Sequence, residues 1–307
     1  MKPYNDYNTY LKAKYGTRVY RIGIDAGFSC PNRDGTKGSL GCIYCNADGS
    51  RAPYADPSSS VGKQLETRIA YLKNKGIEKF IAYFQAFSNT YGAIDTLNAV
   101  YDEVLPFHDV VGISIGTRPD AIDKDKLKLI ASYSDRFDVW IEYGLQSAND
   151  MILRSLNRAH TYDDFAKAVL LTKEHGIKVC AHIIMGIPGE GRGDVLYTAR
   201  KLAELNIDGI KLHVLHILKG SALEGRYREG AIKILDEDEY VELVCDVLEN
   251  IPKEVIVQRL TGQGTRRSHI APQWALNKTE VIRKIEASFN RRGTCQGARF
   301  EEDLKPI

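Results

Sequence analysis

The sequence predicts an α/β fold in which a parallel sheet is covered by helices, and three observations point to it. Short β-branched runs alternate with helix-like stretches about six times over the first two thirds of the chain. Helix punctuation is explicit where it can be read: Thr161, Asp163 and Asp164 open one segment with negative charge, and His175-Gly176 closes it. The chain has 307 residues, 43% of them apolar, which is enough to bury one large core. The predicted strands are Val19–Ile24, Lys79–Phe84, Val110–Ile115, Asp138–Tyr143, Ile177–Ile184 and Gly209–Leu215. Between them lie helical patterns near 60–75, 92–105, 123–133, 161–175 and 193–205. A doubly wound open sheet and a complete or partial (βα) barrel both satisfy this rhythm, and periodicity does not choose between them.

After about residue 217 the rhythm breaks. Gly220, Gly225 and Gly230 punctuate a polar stretch, followed by an amphipathic helix over 236–250, a strand-like Val255–Leu260, a Gly/Arg-rich loop (Thr261–His269) and a helix near 277–289. This part is expected to be a C-terminal α/β extension packed on the main domain.

Composition narrows the function classes. With 42 basic and 40 acidic residues the net charge is +2, so no strong global field draws the chain to nucleic acid, although a local basic patch is compatible with it. No run approaches the roughly 18 apolar residues of a membrane span. The N-terminus, MKPYNDYNTYLKAKYG, has no apolar secretion segment. A cytoplasmic location is the expectation. Three of the six cysteines crowd between positions 30 and 45, which in a reducing compartment reads as metal binding or catalysis rather than as a disulfide framework.

That crowding sits in FSCPNRDGTKGSLGCIYCN (28–46). The C-x-x-C pair, Cys42 and Cys45, lets two thiolates reach one centre from a tight turn. Cys30 arrives across a loop carrying Gly35, Gly38 and Gly41, which permits unusual backbone angles around a bulky ligand. A structural zinc site wants four protein ligands; no fourth cysteine is nearby and the first histidine is His108. A thioredoxin-type redox pair would leave Cys30 without a role. A loop with no ligand at all is the third alternative. Three thiolates on a four-iron cluster leave one iron open, the vacancy that reductive S-adenosylmethionine (SAM) chemistry requires, and ligand count favours this reading.

The loop follows the strand-like RIGIDAG and resembles the cluster-binding loop of the radical SAM superfamily, with a longer first gap than its commonest spacing. CPNRDG…GCIYCN, YFQAFSNTY, GTRPD, YGLQS, NRAHT and MGIPGE look like the YhcC/YtqA-type radical SAM proteins, in the branch related to the catalytic subunit of elongator. The resemblance covers nearly the whole chain. It implies a partial (βα)6 TIM-type barrel over 1–216, with the cluster loop 28–46 at the C-terminal mouth of the strands, and an extension over 217–307 packed on the barrel. It implies two cofactors: a [4Fe–4S] cluster on Cys30, Cys42 and Cys45, and SAM, cleaved reductively to methionine and a 5′-deoxyadenosyl radical that removes a hydrogen atom from substrate. An external electron donor of the flavodoxin or ferredoxin type follows from the same chemistry.

The resemblance also implies SAM contacts. Gln85, Ser88, Asn89 and Thr90 match the segment near the SAM amino group, though without the Gly-Gly-Glu type motif often found there; their plain alternative is a capped polar turn. Arg118 ends the third strand and is a candidate for an anionic group of SAM or substrate. Gln146 and Arg158 match the pair on the ribose and carboxylate side, and a guanidinium can grip a carboxylate with two hydrogen bonds. Met185, Gly186 and Pro188 match the stretch along the adenine. Glu142, in the apolar DVWIEYGLQ, requires a partner if buried.

His213, Lys211 and Glu142 are the catalytic candidates, His213 because strand alternation can aim it into the mouth near Lys211. His182 and His216 share those last strands, where structural histidines are common. Cys180 and Cys245 read as apolar fillers, and Cys295 as an unassigned mobile thiol.

For substrate, the resemblance points to tRNA and the C5 side chain of wobble uridine. Arg259, Arg266, Arg267, His269, Lys278, Arg283, Lys284, Arg291 and Arg292 cluster in the tail as candidate phosphate contacts; Trp274 could stack a base, with core packing the default reading. A small metabolite or cofactor precursor, or a non-catalytic iron–sulfur or zinc regulator, are the rival readings. Oligomeric state is not legible.

Overall fold

In the computed structural model, which describes residues 2–262 and 267–303, seven parallel strands form one curled sheet. These are β1 (Val19–Ile24), β2 (Lys79–Phe84), β3 (Val110–Thr117), β4 (Asp138–Gln146), β5 (Lys178–Met185), β6 (Gly209–Val214), and, after the short β7 (Ile217–Leu218), β8 (Ile256–Arg259). The order β1-β2-β3-β4-β5-β6-β8 is sequential, and β7 pairs antiparallel with β9 (His269–Ala271). The sheet curls far enough for the Arg21 guanidinium on β1 to donate to Gln258 Oε1 on β8, at 2.8 Å. This is a partial (βα) barrel, the second of the two architectures that periodicity left open.

Helices α1 (Tyr7–Tyr15), α2 (Val61–Lys73), α3 (Ile94–Asp102), α4 (Lys124–Ala131), α5 (Asp150–Ser155), α6 (Tyr162–Glu174), α7 (Arg192–Glu204), α8 (Ala222–Arg228), α9 (Glu237–Glu249), α10 (Lys278–Arg292) and α11 (Ala298–Asp303), with short 3-10 turns at Pro119–Ala121 and Gln273–Leu276, complete the described elements. The sequence cues place several of them. In α6, Thr161 and Asp164 close a reciprocal capping box, and in α9 Asp236 and Glu239 do the same. Each such cap contributes about 1 kcal/mol by satisfying orphan N–H groups.

The outer face of the sheet is apolar: Ile22, Ile24, Phe80, Phe84, Ile113, Ile115, Val139, Ile141, Tyr143, Val179, Ile183, Ile210 and Leu212 pack against the helices in one continuous core. The inner face is layered. Val19, Ile81, Trp140, Cys180 and Ile256 make an apolar floor, closed from below by Tyr7 and Leu11 of α1. Tyr7 meets Trp140 edge to face, with ring centroids 6.4 Å apart. Gly209 lets the indole lie flat there, since an added Cβ would stand 3.0 Å from Trp140 Cζ3.

The segment after 217 does more than lie on the barrel, because it supplies the seventh strand of the sheet. Its helix α9 packs on α7 and on α10. Strands β3 and β4 also run further than their β-branched cores, to Thr117 and Gln146, so both residues stand on rigid backbone at the mouth.

Candidate active site at the barrel mouth

Above the floor, the next inward positions carry charge. Glu142 is buried (1% exposed). One of its oxygens meets Arg21, and the other meets Lys211 and accepts from His182 Nε2 at 2.8 Å. Burial pushes this carboxyl up, but Arg21, Lys211 and His182 outweigh it and hold the group well below its usual range. Burial and the Arg21 charge bring Lys211 down to about 7, and burial lowers His182 to about 4. Arg21 also lies over the Tyr83 ring, 4.0 Å from its centroid. Glu142 thus has the partners its burial demands.

Above this charged layer, Gly116 and Gly144 leave room for a cavity of about 180 Å³. Cys30, Cys42, Cys45, Arg118, Gln146, Arg158 and His213 line it. The cysteine loop is held in place by its own backbone. Gly41 N donates to Asn32 O at 2.7 Å, Cys45 N donates to Cys42 O at 3.0 Å, and Gly35 and Gly41 take the positive φ that the glycine spacing foretold.

The loop is stitched to the segment that bears Arg158. Asn32 Nδ2 donates to Asn157 O at 2.6 Å, Asn157 Nδ2 donates to Gly41 O at 2.7 Å, and Ile43 N donates to Leu156 O. Asn157 and Ala159 both have positive φ, 53° and 55°, on either side of Arg158. Such non-glycine conformations cost about 1–3 kcal/mol each and persist where surrounding contacts over-determine them.

Arg158 Nη1 donates to Cys42 Sγ at 3.4 Å and Nη2 to Gly144 O at 2.7 Å, while its buried Nε has no partner among the described residues. Cys42 is held well below the usual thiol range, first by the hydrogen bond from Cys45 and then, against burial, by Arg158. The three thiols share one wall, with cationic and amide donors aimed at sulfur. Among the described residues no three His, Cys, Asp or Glu converge on a single-ion site. A four-iron cluster asks instead for thiolates spread around a cube, and the donor set fits that group. Cys30, Cys42 and Cys45 are therefore the residues that would hold it.

Gln146 has φ of 81°, at a register shift between Gly144 and Gln146 where β4 pairs with β5. Its amide lies beside Arg158: a Cβ on Gly144 would stand 2.6 Å from Gln146 Nε2 and 2.7 Å from Arg158 Nη2. Arg118 is buried and grips Asp120 with two hydrogen bonds, 2.9 and 2.8 Å, while its Nη1 lacks a partner among the described residues. Asp120 is spent on that pairing, and Asp123 caps α4. Gln85 lines the cavity and donates to Ser50 O at 2.7 Å.

Other expected contacts are placed elsewhere. Ser88, Asn89 and Thr90 are fully buried behind the wall; Ser88 and Thr90 bond Thr117 Oγ1, and Asn89 donates to Gly116 O. Their side chains lock β2 to β3, and Gln85 is the member of that group that reaches the cavity. Met185 is buried in the core. Gly186, with φ of 85°, makes room for the Leu235 side chain, and the half-buried Pro188 follows in the same turn.

A second cavity of about 1120 Å³ adjoins the first and shares Tyr44, Cys45, Tyr83, Gln146, His182 and His213 with it. His213 and His216 stand in its wall, both neutral at ordinary pH because burial lowers them, His216 to about 4.

In the tail, Arg283, Lys284, Arg291 and Arg292 are matched by Glu280, Glu237, Asp238, Glu242, Asp246 and Glu249 across α9 and α10. They form an ion-paired seam rather than a free phosphate-binding face. Trp274 packs on Tyr240, with centroids 5.2 Å apart, so it serves the core and not a stacking platform. His269 is buried, Arg266 lies outside the described residues, and Arg259 alone of that group stands in both cavity walls. Cys180 sits in the floor, Cys245 is buried in α9, and Cys295 is exposed.

Arg21, Asn32 and Asn157 escape a reading of motifs alone. The signal for Arg21 was a lone cation at an inward period-two position of an otherwise apolar strand; Asn32 and Asn157 lie within quoted motifs but show their cross-loop bonds only in three dimensions.

Comparison with known proteins bears on this geometry. The family model described as "Radical SAM superfamily" matches residues 34–202, and the "Radical_SAM C-terminal domain" matches 207–291. The uncharacterized protein YtqA of Bacillus subtilis is 41% identical over 305 residues, covering 98% of this chain and 94% of its own. A tRNA uridine(34) acetyltransferase of Dehalococcoides mccartyi is 29% identical over 156 residues, half of this chain and 33% of that protein. Among solved structures, the archaeal Methanocaldococcus infernus Elp3 with an N-terminal deletion superposes with a TM-score of 0.69 at 16% identity, covering 94% of this chain and 68% of that one.

Proposed function

Because the chain belongs to the radical SAM superfamily, we propose that it acts on tRNA, at the C5 side chain of a wobble uridine, with the cavity beside the thiols as its substrate chamber. It is a radical SAM enzyme whose cofactors are a [4Fe–4S] cluster and SAM. The bound cofactors supply an electron and a carbon-centred radical able to take hydrogen from an unactivated carbon. The protein's part is to bind, orient and exclude water. In this reading Cys30, Cys42 and Cys45 hold the cluster. Arg158 and Gln146, set by the strained backbone of 146, 157 and 159, orient SAM, with Gln85 and Arg118 on the remaining wall. A flavodoxin or ferredoxin-type protein delivers the electron.

The observation that carries the reading is the stitching of the three-thiol loop to the Arg158 segment, with guanidinium N–H groups buried and aimed at sulfur or left without partners. Support for tRNA is the half-chain similarity to the uridine(34) acetyltransferase. One observation favours a small metabolite or cofactor precursor instead: the tail cations are internally matched.

The test is anaerobic reconstitution, dithionite reduction, addition of SAM and quantification of 5′-deoxyadenosine against Cys45→Ala. Cleavage dependent on the cluster and stimulated by tRNA, with binding that weakens as salt rises, supports the proposal. Cleavage stimulated by small molecules and indifferent to tRNA would transfer it to the second reading.

A further inference from the structure

Arg259 reaches the interior through an irregularity. From Ile256, strict alternation would place Gln258 inward and Arg259 outward. The ladder instead steps from Ile210 opposite Val257 to Lys211 opposite Arg259, skipping a residue. Both side chains end on the inner face: Gln258 accepts from Arg21, and Arg259 stands in the wall shared by the two cavities. Bulges that re-aim one side chain recur beside functional sites.

The charge around Arg259 does not balance. Arg21, Lys211 and Arg259 surround a single carboxylate, Glu142, whose two oxygens are already taken by Arg21, Lys211 and His182. No hydrogen bond or ion pair joins Arg259 to an acid among the described residues. Its neighbours register the excess: Arg259 pushes His213, His216, Lys211 and Lys278 toward their neutral forms, secondarily to burial. Among the described residues, the one carboxylate in the larger cavity wall is the exposed Asp48. Arg259 is half-buried in that wall, and a cation held there without a matched acid among the described residues is costly, so a site that retains one has a use for it.

We propose that Arg259 anchors an anionic group of the substrate, a carboxylate or a phosphate, at the junction of the two cavities. A guanidinium presents two parallel N–H donors that match either oxyanion, and the low-dielectric wall strengthens the contact. Anchoring there would fix the substrate beside the thiol-lined cavity without engaging the tail. The proposal rests on the reading of this chamber as the substrate side of the site.

The full-length chain, without cluster or SAM, is titrated calorimetrically with acetate, inorganic phosphate and neutral acetamide, so the outcome does not depend on the radical chemistry. Wild type is expected to bind at least one anion and not acetamide, and Arg259→Gln to bind it about tenfold more weakly or worse. Preference for acetate assigns a carboxylate, and preference for phosphate assigns a phosphate. The ligand-free melting temperature of Arg259→Gln should equal or exceed that of wild type, since an uncompensated charge is gone. Equal anion binding by both proteins, or a fall of several degrees in that melting temperature, overturns the proposal. Should the variant not fold, the Arg259 Nε–H resonance of the wild-type chain, assigned with Arg259→Lys, is followed during the same titrations. A shift on anion addition supports the anchor, and an unmoved resonance overturns it.

Discussion

At the floor of the barrel, Val19, Ile81, Trp140, Cys180 and Ile256 interlock under α1 as any core does. One or two inward positions further along the same strands stand Arg21, Tyr83, Glu142, His182 and Lys211, and beyond them Gly23, Gly116 and Gly144 open the cavities. Floor and mouth share strands, register and solvent exclusion, yet the floor holds almost no polar atoms and the mouth concentrates them. The difference shows how a partial barrel divides its labour. Apolar packing at the N-terminal ends supplies stability, and the C-terminal ends can then carry buried charge, positive φ and unpartnered donors.

The comparison breaks most readily at the floor. Trp140→Ala should cost about 3–5 kcal/mol by denaturant unfolding, while SAM affinity in the surviving folded fraction stays near wild type. A comparable loss of affinity would mean that floor and mouth are not separable. In the charged layer, Glu142→Gln leaves Arg21 and Lys211 without their shared partner and should cost about 3 kcal/mol or more. The double variant Glu142→Gln/Lys211→Met should recover part of that stability, and no recovery would show that the charge balance is not the cause.

A third measurement uses pH. Burial lowers His216 to about 4, so between its ordinary value near 6.5 and 4 the unfolded chain carries a proton that the folded chain does not. Stability therefore falls with falling pH across that window, by at most about 1.4 kcal/mol per unit from this residue. His216→Gln should flatten the acid limb of the curve by that slope, and an unchanged slope removes His216 from the titrating groups. The smallest effect is expected from Gly144→Ala, whose Cβ would displace the tips of Gln146 and Arg158. SAM affinity should drop about three- to tenfold with stability changed by less than about 1 kcal/mol. A large stability loss with affinity intact would assign Gly144 to packing.

Much of this architecture is legible in the sequence. The alternation of β-branched and amphipathic runs located the six barrel strands with start points within one residue, because a buried parallel strand needs a continuous apolar run. The glycine spacing of 28–46 foretold the positive φ of Gly35 and Gly41, and ligand count made Cys30, Cys42 and Cys45 a set. Ser88, Asn89 and Thr90 were misplaced because a polar turn after a strand reads alike whether its side chains face a cofactor or tie two strands together. The tail cations misled for a related reason: Arg283 is matched by Glu280 on its own helix, but the acidic partners of Lys284, Arg291 and Arg292 lie more than forty residues away in sequence, on α9.

The sequence by itself determined the α/β class, the three-thiol loop and the residues able to grip a carboxylate or bind sulfur, since these depend on residue type and short spacing. Only the tertiary structure decided which charges meet. Arg21, Glu142, His182 and Lys211 come from four strands and converge through curling of the sheet, and Arg259 faces inward through a register shift in β8 that no period-two pattern records. Curvature and register are properties of neighbouring strands packed together, so they become definite only when the sheet closes on its core.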